Sequence, residues 1–164
     1  MSTSPPLDPK ALRAVLGRFA TGVTIVTCRD AQGTAVGLTA NSFSALSLEP
    51  PLVLWSLRQA SPSLPAFAAA GHFAVNVLAE SQVDLSRRFA SPVLDKFAEG
   101  AWSDGAGGAP VLSGAAAVLE CALVSQQVAG DHVLFIGQVL KMADLATAAL
   151  VFQGGHYRML GEVL

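Results

Sequence analysis

The sequence predicts a mainly β domain, an antiparallel barrel of about six strands flanked by a few short helices. Three observations point to this class. Short runs of β-branched and apolar residues recur with turn residues between them. Helical periodicity is confined to three short stretches. Two long β-type runs lie near the carboxyl end, and six or so strands with few helices suggest closure into a barrel.

The elements follow in chain order. Asp8 is an N-cap candidate and Pro9 suits a first turn, so Leu12, Val15, Leu16 and Phe19 form the apolar stripe of a helix that ends near Gly22. Residues 23–27 and 36–42 read as a β-hairpin around a turn containing Asp30 and Gly33. Pro50 and Pro51 open a continuous apolar run over 52–57, the pattern of a strand buried on both faces, ending around Arg58. Ser61-Pro62 starts an Ala-rich helix over 63–70, which Gly71 terminates. Residues 72–78 form a strand, and Ser81 caps a helix carrying Val83, Leu85 and Phe89. The Gly-rich stretch 98–113 reads as a surface loop anchored by Trp102. Strands over 117–127 and 133–142 flank the turn 128–132, and a last strand covers 150–152.

Composition limits what such a domain does. The chain has 164 residues, 52% of them hydrophobic and 13% charged, so it reads as one folded domain with a loose tail over residues 1–8. The apolar share exceeds what one monomer hides easily, which favours an oligomer interface or an apolar pocket, and a homodimer is expected. A formal charge of −2 without basic runs argues against nucleic acid. With no signal-peptide run or membrane span legible, the expectation is a soluble cytoplasmic protein. Cys28 and Cys121 sit in apolar strands without the spacing of a metal or redox site, so both read as buried, reduced thiols.

Hydrolytic motifs are absent: there is no GxSxG, no HExxH and no clustered carboxylates. The absence of a GxGxxG turn argues against a parallel dinucleotide-binding unit. What stands out is Gly37-Leu38-Thr39-Ala40-Asn41-Ser42-Phe43-Ser44, where hydroxyl, amide and small residues close a strand. Such a segment offers backbone N–H groups and short donors to a phosphate or the polar edge of a flat heterocycle, or forms a plain turn.

Together with Phe19-Ala20-Thr21-Gly22-Val23-Thr24-Ile25-Val26-Thr27, Phe73-Ala74-Val75-Asn76-Val77-Leu78, Gly130-Asp131-His132 before Leu134-Phe135-Ile136-Gly137, and Gly155-His156-Tyr157-Arg158 after Leu150-Val151-Phe152, this segment resembles the flavin reductase-like family. The resemblance runs over residues 10–160. It implies a six-stranded split barrel, a homodimer, and a site for FMN or FAD reduced by NADH or NADPH, with hydride passing to flavin N5. The reduced flavin would then serve a separate monooxygenase component or react with oxygen.

The resemblance also implies roles. Thr39, Ala40, Asn41 and Ser42 contact the flavin. The segment from Ser56 and Leu57 to Ser61 and Ser63 closes over the phosphate or ribityl chain, although simple N-capping explains the two last hydroxyls equally well. Asn76, Arg88, Phe89 and Lys96 belong to the cofactor-binding set, and at most one of Arg87 and Arg88 reaches a ligand, since helix neighbours diverge. His132 binds or orients the pyridine nucleotide, and Tyr157 lies near the dinucleotide or caps the barrel. His72 is expected to be structural; His156 stays open. Two other readings share the barrel: a flavoredoxin-like FMN electron carrier, and a dimer without enzymatic activity.

Overall fold

The computed structural model describes residues 5–164. Its first helix, α1, spans Pro9–Leu16; both oxygens of the Asp8 side chain accept hydrogen bonds from the first turn. The rest of the expected loose tail, residues 1–4, lies outside the described residues. The helix stops at Gly17 rather than near Gly22 because Thr21–Gly22 (β1) pairs with Val151–Gln153 (β11), which in turn pairs with His156–Arg158 (β12).

The main sheet joins Thr24–Arg29 (β2), Ala35–Ala40 (β3), Ser44–Leu48 (β4), Pro51–Arg58 (β5), His72–Val77 (β6), Ala117–Ala129 (β9) and His132–Asp144 (β10). Among the described residues it runs β3-β2-β6-β9-β10-β5-β4, all neighbours antiparallel. Its count is therefore seven rather than six, because the sequence reading assigned no strand to residues 44–48, which form β4. The two outermost strands, β3 and β4, are consecutive and joined only by residues 41–43. A sheet whose edges are linked by so short a corner must curl back on itself. No ladder joins β3 to β4 among the described residues; the corner is tied instead by Ser42, whose Oγ donates to Ser56 O at 2.9 Å and accepts from Ser56 N at 3.0 Å.

Two apolar clusters pack on the curled sheet. One is aromatic: Trp55 stacks on Phe135 at 4.8 Å between centroids and meets Phe67 edge-on at 4.9 Å. Phe67 comes from Leu64–Ala69 (α2), so the expected Ala-rich helix earns its place through one ring. The other cluster gathers Ile25, Leu78, Leu112 and Leu150 around Phe89 of Val83–Phe89 (α3). The stretch 98–113 is thus more than a surface loop: Trp102–Asp104 (β7) and Pro110–Leu112 (β8) form a hairpin that buries Ala109 and Leu112. Arg29 holds this hairpin through Gly108 O at 2.8 Å and Asp104 at 2.5 Å.

Cys28 and Cys121 are fully buried free thiols, and burial in apolar surroundings pushes each up to about 12. No helix among the described residues is long and apolar enough to cross a membrane.

Candidate active site

A cavity of about 790 Å³ opens where three segments meet: the end of β3, the end of β5 with the turn into α2, and the chain leaving α3. The register explains the meeting. Leu38 and Thr39 end a strand at one edge of the curled sheet, and the sheet order brings Leu57 and Arg58 of β5 to the same end. Phe89 anchors the third segment. Gly37 makes its approach possible, since a Cβ there would lie 2.8 Å from the Phe89 ring.

Six of the expected site residues line this cavity: Thr39, Leu57, Ser61, Ser63, Phe89 and Lys96. Thr39 Oγ1 donates to Ser86 O at 2.6 Å, which ties β3 to α3. Ser61 Oγ accepts from Ser63 N at 3.3 Å, the local capping bond that the sequence left open as an alternative. Lys96 Nζ donates to Phe89 O at 2.9 Å and to Gly37 O at 3.4 Å, and no carboxylate pairs with it among the described residues. Burial lowers its pKa, because desolvation penalises the ammonium. Arg58 and Lys96 are the only charged residues of the lining, so the cavity is cationic in a chain of net charge −2.

The other expected residues stand elsewhere. Ala40 is buried and its carbonyl accepts from Thr24 Oγ1 at 2.7 Å; Asn41 is exposed in the corner; Ser42 and Ser56 bond each other. Asn76 is wholly buried: its amide donates to Ile25 O at 3.0 Å and accepts from Leu112 N at 2.8 Å, which locks β2, β6 and β8 together. Arg87 and Arg88 diverge as expected. Arg87 lies over the Tyr157 ring at 5.5 Å, whereas Arg88 turns to the main chain of Asp95 and Lys96. Tyr157 reaches the cavity wall only indirectly, through its hydroxyl to Ser86 Oγ at 2.8 Å and from Ser86 to Thr39.

His132 is outside the lining but pairs across the ladder with Arg58, which is inside it. Its Nδ1 lies 2.7 Å from Asp131 Oδ1. An ionised carboxylate only accepts, so the proton sits on Nδ1 and Nε2 is left for another partner. The hydrogen bond and charge of His132 hold the Asp131 carboxyl below its ordinary range, with a further contribution from Arg58.

The expected segment from Ser56 to Ser63 takes in Arg58 without singling it out, and sequence reasoning missed Ala90, Ser91, Pro92, Val93 and Leu94 as lining residues. Arg58 carried a signal, a cation closing a buried strand. Ser91 to Leu94 carried none, since their place depends on how the chain folds back over the barrel end.

Comparison with known proteins fits this geometry. The sequence profile described as flavin reductase like domain matches residues 16–161. A Rhizobium meliloti (strain 1021) protein named "Probable flavin reductase" is 45% identical over 99% of this chain, and the chain spans 53% of that relative's length. The flavin-dependent monooxygenase reductase subunit HsaB of Rhodococcus jostii (strain RHA1) is 43% identical, over 92% of this chain and 77% of its own. Among solved structures, the Streptomyces globisporus C-1027 NADH:FAD oxidoreductase SgcE6, in complex with NAD and FAD fragments, superposes with a TM-score of 0.89 at 38% identity, covering 96% of this chain and 98% of that one. A profile that takes in every strand of the curled sheet and every wall of the cavity settles membership: the chain belongs to the flavin reductase like domain family.

Proposed function

We propose that this chain is an NAD(P)H:flavin oxidoreductase that reduces FMN or FAD and supplies the reduced flavin to a separate monooxygenase. The observation that carries this reading is the cavity: apolar walls from Leu38, Leu57, Phe89, Val93 and Leu94, hydroxyls from Thr39, Ser61, Ser63 and Ser91, and only cationic charges. A flat heterocycle with an anionic tail asks for such a mixture. The names of relatives, a monooxygenase reductase subunit and an NADH:FAD oxidoreductase, point the same way.

Bound flavin would supply the hydride acceptor; the protein's own task is to bind, orient and exclude water. Lys96 and Arg58 attract the phosphate end, and at the partly buried Lys96 water screens that attraction less than at an open surface. The corner after β3, fixed by Ser42 on Ser56, holds Leu38 and Thr39 in the cavity wall. Asp131 holds the His132 ring so that Nε2 can meet the pyridine nucleotide. Leu12, Val15, Leu16 and Phe19 on and after α1 are exposed, which supports a homodimer whose second copy covers them. The same curl of the sheet supports the split-barrel description.

Anaerobic mixing of the protein with NADH or NADPH and FMN or FAD tests the activity. Rapid bleaching of oxidised flavin is the expected result. Bound flavin that does not bleach would mean an electron carrier, and no flavin binding would remove the functional reading.

A further inference from the structure

Arg88 lies beside the cavity without lining it, although the chain from Phe89 to Leu94, and Lys96 beyond it, all do. Its guanidinium donates instead through Nε to Lys96 O at 2.9 Å and through a terminal nitrogen to Asp95 O. Its own carbonyl accepts from Ser91 Oγ at 2.7 Å and from Ser91 N at 3.1 Å. One residue therefore holds both ends of the Ser91–Asp95 excursion. At the tip, Leu94 is fully exposed and Val93 is 40% exposed, yet both face the cavity. Neither side chain belongs to a core cluster among the described residues, so the neck fixes the tip.

From this we propose that Arg88 is a positioning residue: it cinches the loop of residues 89–96 into the cavity wall and sets the backbone from which Lys96 reaches inward, rather than pairing with a ligand phosphate. The proposal rests on the flavin reading above. A planar fork suits the task, because two carbonyls on consecutive residues need two donors held at a fixed spacing. A lysine ammonium at the same position carries the charge but not the fork.

The two roles separate experimentally. FMN and riboflavin share a ring and differ in the phosphate, so a residue that binds phosphate affects only FMN, whereas one that builds the wall affects both. Both flavins are titrated by fluorescence quenching into the full-length wild type, Arg88→Lys and Lys96→Met, with amide hydrogen exchange followed over residues 89–97. Arg88→Lys is expected to weaken FMN and riboflavin by the same factor, roughly tenfold, and to speed exchange in the loop by a similar factor. Lys96→Met serves as the contrast: its ammonium also holds Phe89 O and Gly37 O, so riboflavin weakens somewhat, but FMN weakens by a clearly larger factor. Loss of FMN alone in Arg88→Lys overturns the proposal, as does unchanged loop exchange. Should Arg88→Lys fail to fold, Arg88→Gln keeps one donor and must show the same parallel loss. Wild type that binds neither flavin would end the flavin reading, while the exchange comparison would still decide whether Arg88 holds the loop.

Discussion

Ser42 shows how one hydroxyl fixes a corner of the sheet beside the cavity wall. It donates to Ser56 O and accepts from Ser56 N, continuing the β4–β5 pairing by one side chain beyond Ser44↔Leu54. Removing it leaves two backbone groups of Ser56 without these partners, at a cost of about 2 kcal/mol. Ser42→Ala should lower Tm by roughly 4–8 °C in calorimetry, given how unfolding entropy scales at this chain length. Ser42→Leu adds bulk to the corner between β3 and β5 and should also weaken flavin binding. An unchanged titration curve would remove the corner from the site. His132 makes a different prediction. Because it neighbours Arg58 without lining the cavity, His132→Ala should lower nicotinamide-dependent turnover by about tenfold or more and leave flavin affinity within about twofold. Equal turnover in wild type and variant would withdraw its role. Asn76 teaches the opposite lesson. A polar residue inside an apolar strand motif drew attention as a ligand contact, yet its amide satisfies three backbone groups on β2 and β8 in the core.

Elements were legible where their own residues decide the conformation. The β-branched and apolar runs of β2, β5, β6 and the first halves of β9 and β10 bury alternate or most positions, so period and composition agree with the ladder they enter. The start of α1 was legible because Asp8 and Pro9 are local signals. Its end was not, since the pairing of Thr21–Gly22 with a strand about 130 residues later is a tertiary matter. The strands that escaped notice, β4, β7, β8 and β12, are short and depend on a partner more than on propensity. Ser44–Leu48 mixes serine with apolar residues without a two-residue period and leaves most positions exposed, a pattern that specifies nothing until β5 lies beside it. The cavity was half legible for the same reason. Its β3 and α2 walls sit in recognisable local motifs, while the wall from Ser91 to Leu94 exists only because Arg88 ties the chain back.

On the scale of the molecule, the curled sheet places the cationic cavity at one end and leaves apolar surface elsewhere. None of the residues of α1 is buried, and Val15, Leu16 and Phe19 are 69%, 63% and 78% exposed. More apolar side chains stand free where the long β9–β10 pair runs beyond its neighbours: Val124 and Val128 past the end of β6, Leu140 and Met142 past the end of β5. An amphipathic helix gains most of its stability by burying its stripe, so a helix with nothing beneath it is stable only if something covers it. The proposed second copy of this chain would supply matching apolar area without introducing charge, and closed pairs bury the same patch on both subunits. Sedimentation velocity at micromolar concentration should therefore show a dimer. Phe19→Glu combined with Leu16→Glu should shift it to monomer with an unchanged far-ultraviolet circular dichroism spectrum, because neither side chain contributes to either core cluster. A wild type that sediments as a monomer, or a double variant that remains dimeric, would place the interface elsewhere or abolish it. If the variant also loses flavin affinity, the cavity depends on the partner copy; if it binds flavin as before, the walls described above are sufficient by themselves.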